Sequence, residues 1–189
     1  MTPPHNVKPN NRSPLASIVG YCGIVPKLAP SVFLADGARV IGSVSMQENC
    51  SVWFNAVVRG DVNSIVIGAN TNIQDNAIVH CTYSKFSTTI GQNVSIGHLA
   101  IVHGCIVEDG CLIGMGATVM DGAVVGKESI IGAGSIVTQG VKIPPRSLAI
   151  GAPAKVIRQV TDKEYESILA TTYRYIEYAN GYNFNLGGA

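Results

Sequence analysis

The sequence predicts an all-β solenoid, a parallel β-helix, followed by one C-terminal α-helix. Aliphatic residues recur at every sixth position, a period that neither an α-helix nor a simple strand shares. The longest unbroken run is Val107, Ile113, Val119, Val125, Ile131, Val137 and Ile143. A small residue stands four positions after most of these, as at Cys111, Ala117, Ala123, Ser129 and Ser135. If each coil has three six-residue sides, stacked coils bury both columns and pair their backbones.

Two earlier runs keep the same spacing and set the register of the coils. They are Leu34, Val40, Met46, Val52 and Val58, and then Ile67, Ile73 and Val79. We interpret extra or missing residues between these runs as insertions or deletions at the corners of the coils. Assigning the three faces in rotation then places Val58, Val79 and Val102 on the first face, and Ile73 and Ile96 on the third.

The chain is long enough for one domain with a single core, since 47% of its 189 residues are hydrophobic. We expect a flexible N-terminal tail over residues 1–14 and the β-helix domain over residues 15–158. A helix packed on the solenoid should follow over residues 159–180, and a C-terminal tail over residues 181–189. Thr161 and Glu164 form a capping-box pattern at the start of this helix. Apolar residues at helical spacing follow them, which predicts a stripe packed on the solenoid.

The composition excludes several classes of partner. The formal charge is +1 with no basic run, which argues against nucleic acid and anionic membrane surfaces. No stretch of about 18 apolar residues could cross a bilayer. Five scattered cysteines without a CxxC pair, and no secretory signal pattern, predict reduced thiols in a cytoplasmic protein. Only 13% of residues are charged, which favours a homo-oligomer that buries part of its surface.

Three of the four histidines are candidate metal ligands. His80 and His103 each directly follow an inward valine of the first face, so they take the same outward slot one coil apart, about 4.8 Å between backbones. His98 follows Ile96 by two residues and belongs to the third face. One chain therefore offers an incomplete site. A trimer that presses the first face of one chain against the third face of the next would supply three imidazoles with an open fourth position, the arrangement of catalytic zinc.

Charged and polar residues continue these columns. Arg59 stands below the two histidines of the first face, and Asp61 lies at the corner beyond it. Asp75 follows Gln74 and takes the same slot on the third face as His98. Metal ligands need hydrogen-bond partners that orient them, so this set fits a metal site. A purely intersubunit salt bridge is an equally open interpretation, and both roles can hold together.

These segments resemble the γ-class carbonic anhydrase family. The matching segments are Arg59-Gly60-Asp61, Asn72-Ile73-Gln74-Asp75, His80, Ser95-Ile96-Gly97-His98 and His103-Gly104-Cys105. The hexapeptide period is shared with many acyltransferases, whereas this ordered combination is specific. The resemblance implies a left-handed β-helix trimer with zinc, or in some members ferrous iron or cobalt, at each subunit interface. It assigns His80 and His103 of one chain and His98 of the next as the ligands.

The resemblance also implies roles for the polar residues. Arg59 and Asp75 would form an intersubunit ion pair, with Asp61 assisting. Gln74 would orient the metal-bound hydroxide, and Asn72 would lie in the substrate pocket. The implied activity is the reversible hydration of CO2 to bicarbonate, because zinc lowers the pKa of bound water to about 7.

The chain departs from the best-studied members of that family in its proton-transfer residues. Those members use glutamates on an acidic loop and after the RGD-like segment, whereas here Val62 follows Asp61 and residues 81–87 contain no carboxylate. The chain therefore resembles the short-loop members. Proton export would fall to buffer, to Tyr83, or to a helix tyrosine such as Tyr173.

Three other functions stay open at this point. A hexapeptide acyltransferase would use acyl-CoA, with a histidine as general base. A metal-dependent thioesterase would direct the same hydroxide at an ester. A catalytically silent family member would use the metal only to pin the trimer.

Overall fold

The structure is a computed structural model, and it describes residues 6–184. The chain forms a parallel β-solenoid of about 7 turns with one C-terminal helix, and it matches a left-handed hexapeptide β-helix. The predicted fold class is confirmed.

Between residues 6 and 184, twenty short strands form the coils. In chain order they are β1 (Ser17–Val19), β2 (Lys27–Leu28), β3 (Phe33–Leu34), β4 (Arg39–Met46), β5 (Ser51–Val52), β6 (Val57–Ile67), β7 (Asn72–Ile73), β8 (Ile78–His80), β9 (Thr88–Ile90), β10 (Ser95–Ile96), β11 (Ile101–His103), β12 (Ile106–Val107), β13 (Leu112–Ile113), β14 (Thr118–Val119), β15 (Val124–Val125), β16 (Ile130–Ile131), β17 (Ile136–Val137), β18 (Lys142–Ile143), β19 (Ser147–Gly151) and β20 (Ala154–Gln159).

The strands stack into three faces. The first face runs from β1 through the first halves of β4 and β6 to β8, β11, β14 and β17. The second face runs from β2 through the second halves of β4 and β6 to β9, β12, β15 and β18. The third face comprises β3, β5, β7, β10, β13, β16, β19 and β20. All of these pairings are parallel except β19 with β20.

The pairing register confirms the faces expected from the hexapeptide count. Val79 pairs with Val58 on one side and with Val102 on the other, and Ile96 pairs with Ile73. These inward side chains are completely buried, as are the small residues between them. The core is therefore one continuous column along the solenoid axis, and it fixes the slot of every outward residue beside it.

One corner column turns the chain from the third face to the first. Asn55, Asn76, Leu99 and Gly116 occupy equivalent places in successive coils, with φ between 58° and 66°. The turn holds this residue in the left-handed conformation, which Gly and Asn adopt more readily than other residues, and this explains why most coils place Asn or Gly there. The corner directly follows His98, so the outward residues of the third face lie beside the edge of the first face.

Helix α1 (Asp162–Gly181) packs along the outside of the solenoid. Thr161 accepts a hydrogen bond from the Glu164 backbone, and the Glu164 side chain accepts one from the Thr161 backbone, which confirms the predicted capping box. The predicted apolar stripe includes the buried Ile168, Thr172 and Ile176. Among residues 6–184, no helix is long and apolar enough to cross a membrane.

The described part of the expected N-terminal tail, residues 6–14, contacts both the solenoid and α1. Val7 is buried, and its N–H donates to Asn49 Oδ1 at 3.1 Å. The Asn11 amide donates to the carbonyl of Ala179 at 2.6 Å. Residues 1–5 of the first expected tail and 185–189 of the second lie outside the described residues, and Gly181, expected in the second tail, is the last residue of α1.

Candidate metal centre

Two histidines stand side by side on the first face. His80 at the end of β8 and His103 at the end of β11 pair in register. Their ring centroids lie 5.0 Å apart, and His80 Nδ1 is 3.0 Å from His103 Nε2. The two residues thus occupy the same slot in successive coils, as the hexapeptide count predicts, and their ring planes are tilted by 59°.

Each of these rings is bound to a carboxylate through its other nitrogen. His103 Nδ1 lies 2.6 Å from Asp121 Oδ1, and His80 Nε2 lies 3.0 Å from Asp61 Oδ1. A carboxylate only accepts, so each outer nitrogen donates a hydrogen to its partner. With both rings neutral, the inner nitrogens then present lone pairs to each other, and a proton or a metal ion between them would satisfy both. Two nitrogens bound to one tetrahedral zinc at about 2.0–2.1 Å lie about 3.3 Å apart, close to the separation observed here. The residues therefore fit a zinc ion.

Both carboxylates are held in the ionised form. Burial by itself would raise the pKa of Asp61, but hydrogen bonds from His80 and Arg59 and the charge of Arg59 lower it overall. Burial likewise opposes ionisation of Asp121, but hydrogen bonds from Thr82 and His103 lower its pKa overall. Their acceptor role at neutral pH follows from these contacts.

The third face presents the third histidine with its own carboxylate. His98 Nδ1 lies 2.7 Å from Asp75 Oδ2, and both side chains are partly exposed. Beneath them, the Gln74 amide donates to Asn72 Oδ1 at 3.0 Å, and the Asn72 amide donates to Ser95 Oγ at 2.8 Å. Asn72 and Gln74 are both buried, so this ladder fixes the Gln74 amide beside His98.

The described part of a single chain does not assemble a complete metal site. Within residues 6–184, no group of three or more His, Cys, Asp and Glu residues could hold a metal ion. Arg59 pairs with Asp61 of the same chain, and Asp75 pairs with His98. The intersubunit Arg59–Asp75 pair that the resemblance implies is not formed within one chain and stays a prediction.

The structure brings a different helix tyrosine to the site than the one named from the sequence. Tyr175 lines a cavity of about 370 Å³ together with Gln74 and His98. Its burial, with the negative charge of Asp75 nearby, raises the pKa of Tyr175 to about 12. Tyr173 and Tyr175 both pack against the aromatic cluster around Trp53, but Tyr173 does not line this cavity. The proton-transfer role expected for Tyr173 stays a prediction.

Sequence reasoning also missed Asp121. Val119 pairs with Val102, so Met120 takes the slot of His103 in the next coil and Asp121 is the residue after it, equivalent to Gly104. The column count by itself leads to Met120, so it gave no signal for Asp121.

The cysteines near the site are packing residues in this structure. Cys81 and Cys105 are buried, and burial raises the pKa of the Cys105 thiol to about 12. Metal binding requires a thiolate, and this environment disfavours one.

Comparisons with known proteins agree with this geometry. The profile of the family described as bacterial transferase hexapeptide (six repeats) matches residues 87–120 and 104–139. A Methanocaldococcus jannaschii protein named "Probable carbonic anhydrase" is 49% identical over 150 residues, which cover 79% of this chain and 94% of that protein. Gamma carbonic anhydrase 2, mitochondrial, of Arabidopsis thaliana is 45% identical over 159 residues, which cover 82% of this chain and 57% of that protein.

A solved structure shows the same fold. The hexapeptide transferase family protein of Anaplasma phagocytophilum superposes with a TM-score of 0.84 at 39% identity, and the match covers 88% of this chain and 98% of that one. The hexapeptide coil is thus common to proteins named for two chemistries, and of these three relatives the two with higher identity, 49% and 45%, are named carbonic anhydrase. On this identity, the chain belongs to the γ-class carbonic anhydrase family of hexapeptide-repeat proteins.

Proposed function

We propose that the chain is a zinc-dependent carbonic anhydrase-like enzyme that hydrates CO2 reversibly to bicarbonate at the subunit interfaces of a homotrimer. The observation that carries the proposal is the first-face pair. His80 and His103 hold their inner nitrogens 3.0 Å apart while carboxylates occupy the outer ones. This arrangement suits a shared cation, and a metal in that place needs a third ligand.

His98 of a neighbouring chain is the proposed third ligand. When bound, zinc acidifies a coordinated water so that hydroxide is available near neutral pH. Ferrous iron or cobalt would suit the same ligands. The three ligands leave one position open, which is the requirement for chemistry at the metal rather than structural binding.

The surface beside the histidine pair supports assembly into a trimer. Ile78, Ile101 and Ile136 are exposed on the outward side of the first face and form an apolar ladder that Thr118 interrupts between Ile101 and Ile136. Burying such a ladder against a second chain is favourable by about 25 cal/mol per Å². A neighbour that covers the ladder with the edge of its third face would bring His98 toward the pair.

The remaining residues act on substrate and on the ligands. Gln74, fixed by Asn72, presents an amide into the cavity beside His98, where it can orient a small neutral substrate by hydrogen bonding. Asp61 and its partner Arg59 hold His80 from below. For proton export we propose Tyr83 over Tyr173, because Tyr83 is 75% exposed and shares a cavity of about 440 Å³ with Asp61.

The chemistry proposed here requires no membrane or nucleic-acid partner. All five cysteines are free thiols. This supports our proposal of a cytoplasmic location, because disulfides are rare in that compartment.

The second candidate is a hexapeptide acyltransferase. The name of the Anaplasma phagocytophilum relative favours it, and so does the apolar wall of the cavity beside His98, to which Leu112, Ile130 and Met115 contribute. Acyl transfer does not need three histidines around one ion. Metal content therefore separates the two candidates, and acetyl-CoA binding to a metal-free protein would favour the transferase.

The test is metal analysis of the purified protein together with stopped-flow CO2 hydration. We expect one zinc per chain in the native protein, loss of zinc and activity in His98→Ala, and no change in His5→Ala. The His5→Ala variant is the matched control, because it removes an imidazole to which no role is assigned. A native protein that binds no metal, or a metal-loaded protein with no hydration rate above buffer, would contradict the proposal.

A further inference from the structure

Three consecutive coils contribute one hydrogen-bonded chain above the histidine pair. Thr82 follows β8, His103 ends β11, and Asp121 follows β14. The Thr82 hydroxyl donates to Asp121 Oδ2 at 2.7 Å, while Asp121 Oδ1 lies 2.6 Å from His103 Nδ1. Each carboxylate oxygen thus has its own donor, so the carboxylate cannot rotate without losing one of them.

These hydrogen bonds determine which nitrogen of His103 is available to a metal. The carboxylate accepts from Nδ1–H, so the neutral imidazole keeps its lone pair on Nε2, the atom that faces His80. In the absence of Asp121, the ring could turn about its bond to Cβ or adopt the other tautomer. Either change would remove the lone pair from the shared position.

The backbone is shaped to admit the carboxylate. A Cβ at Gly104 would collide with Oδ1 of Asp121, and Gly104 has a left-handed φ of 55°. The residue directly after the histidine must therefore lack a side chain for Asp121 to reach it. Two features at separate places in the chain, Gly104 and Thr82, thus favour one contact.

We infer that Asp121, held by Thr82, is a positioning residue that fixes the tautomer and orientation of His103 for metal binding through Nε2. The inference rests on the proposed metal site. The inference adds the carboxylate of Asp121 and the hydroxyl of Thr82 to that site. Asp61 supports His80 from the coil below, and Asp121 supports His103 from the coil above, so the pair is clamped from both sides.

The experiment measures zinc affinity by competition with a chromophoric chelator, and the visible absorption spectrum of the cobalt-loaded protein. Loss of a hydrogen-bond partner of a metal-ligating histidine typically lowers metal affinity about 10- to 100-fold, and we expect that loss in Asp121→Asn with an altered cobalt spectrum. Asp109→Asn is the matched control, because Asp109 is an exposed carboxylate that accepts from Gln92, away from the histidines. It should bind metal as the native protein does.

A second pair of variants separates positioning from folding. Thr82→Val removes the donor to Asp121 and should weaken zinc binding by a smaller factor, while Thr82→Ser should restore it. Thermal unfolding of each metal-free protein checks that the fold is retained. Native zinc affinity and an unchanged cobalt spectrum in both Asp121→Asn and Thr82→Val would overturn the inference while leaving the proposed function intact. A native protein that binds no metal would overturn both.

Discussion

At the scale of single residues, Leu99 stands out beside the site. It directly follows His98 and takes the left-handed corner conformation at φ 61°, where the neighbouring coils have Asn76 and Gly116. A non-glycine residue in this conformation costs about 1–2 kcal/mol, and Leu99 is 64% exposed, so burial within its own chain offsets little of that cost. A neighbouring subunit that covers the side chain would explain why an apolar residue is retained there.

Leu99→Asn therefore should weaken assembly while relieving backbone strain. We expect the variant trimer to dissociate at higher protein concentration than the native one, as measured by sedimentation velocity over a dilution series. Ile106→Asn is the control, because Ile106 is exposed on the second face, outside the proposed contact. A Leu99→Asn trimer that persists to the same dilution as the native trimer would contradict the role given to Leu99.

At the scale of elements, each strand is stabilised chiefly by the coil above and the coil below. Ile113 in β13 is completely buried and pairs with Ile96 on one side and Ile131 on the other. Removing its side chain would leave a cavity in the column beneath the third face. The damage should be large for a two-residue strand, because stacked coils share one core.

Ile113→Ala should lower the free energy of unfolding by about 2–5 kcal/mol, the range for large-to-small changes in cores. Urea denaturation followed by circular dichroism measures this. The control is Ile106→Ala, which removes the same atoms from an exposed outward position. Equal losses in the two variants would show that the inward column is not the main source of stability.

The start of α1 carries a pH-dependent interaction. Arg158 donates two hydrogen bonds of 2.8 Å to Glu164, and these, followed by the bonds from Thr161, lower the pKa of Glu164 well below its ordinary 4.5. A folded pKa below the unfolded value means that the stabilisation is present at neutral pH and is lost as pH falls. Docking of the helix should therefore weaken in acid.

Glu164→Gln should lower the melting temperature at pH 7, and the difference from the native protein should shrink as pH falls below about 4.5. Differential scanning calorimetry across pH 3–8 in about one-unit steps measures it. Glu166→Gln, on the exposed side of the helix, serves as the control. A difference that stays constant with pH would exclude the ion pair as its source.

Local periodicity made these elements predictable from the sequence. Contacts between distant parts of the chain could not be predicted in this way. The six-residue count fixed the faces, so the pairing of His80 with His103 followed from arithmetic. The contacts of Val7 and Asn11 depend on where α1 ends against the first coils. Asn11 and its partner Ala179 are more than 160 residues apart in the sequence. No local pattern encodes such a contact.

The same distinction applies within the site. Asp75 was predicted beside His98 because both occupy one column. Tyr175 reaches the cavity only because α1 lies at a particular angle and offset on the third face. Helical spacing identified the buried stripe correctly but could not show which residue at its border faces Gln74.

At the scale of the whole molecule, the proposed metal site is divided between two faces. Two histidines lie on the first face and one on the third, and the described residues of one chain do not complete a site. An exposed apolar ladder runs beside the pair, and the third-face histidine precedes a corner. Assembly and metal binding should therefore be a single linked process, in which each stabilises the other.

Mixing complementary variants tests this division most directly. His98→Ala keeps an intact first face, and a His80→Ala, His103→Ala double variant keeps an intact third face. Neither should bind zinc alone. In any mixed trimer, one of the three interfaces joins the two intact faces, so refolding the variants together should restore one zinc per mixed trimer. A mixture that binds no more zinc than its separate components, or a His98→Ala protein that binds as much as the native one, would contradict a site shared between chains.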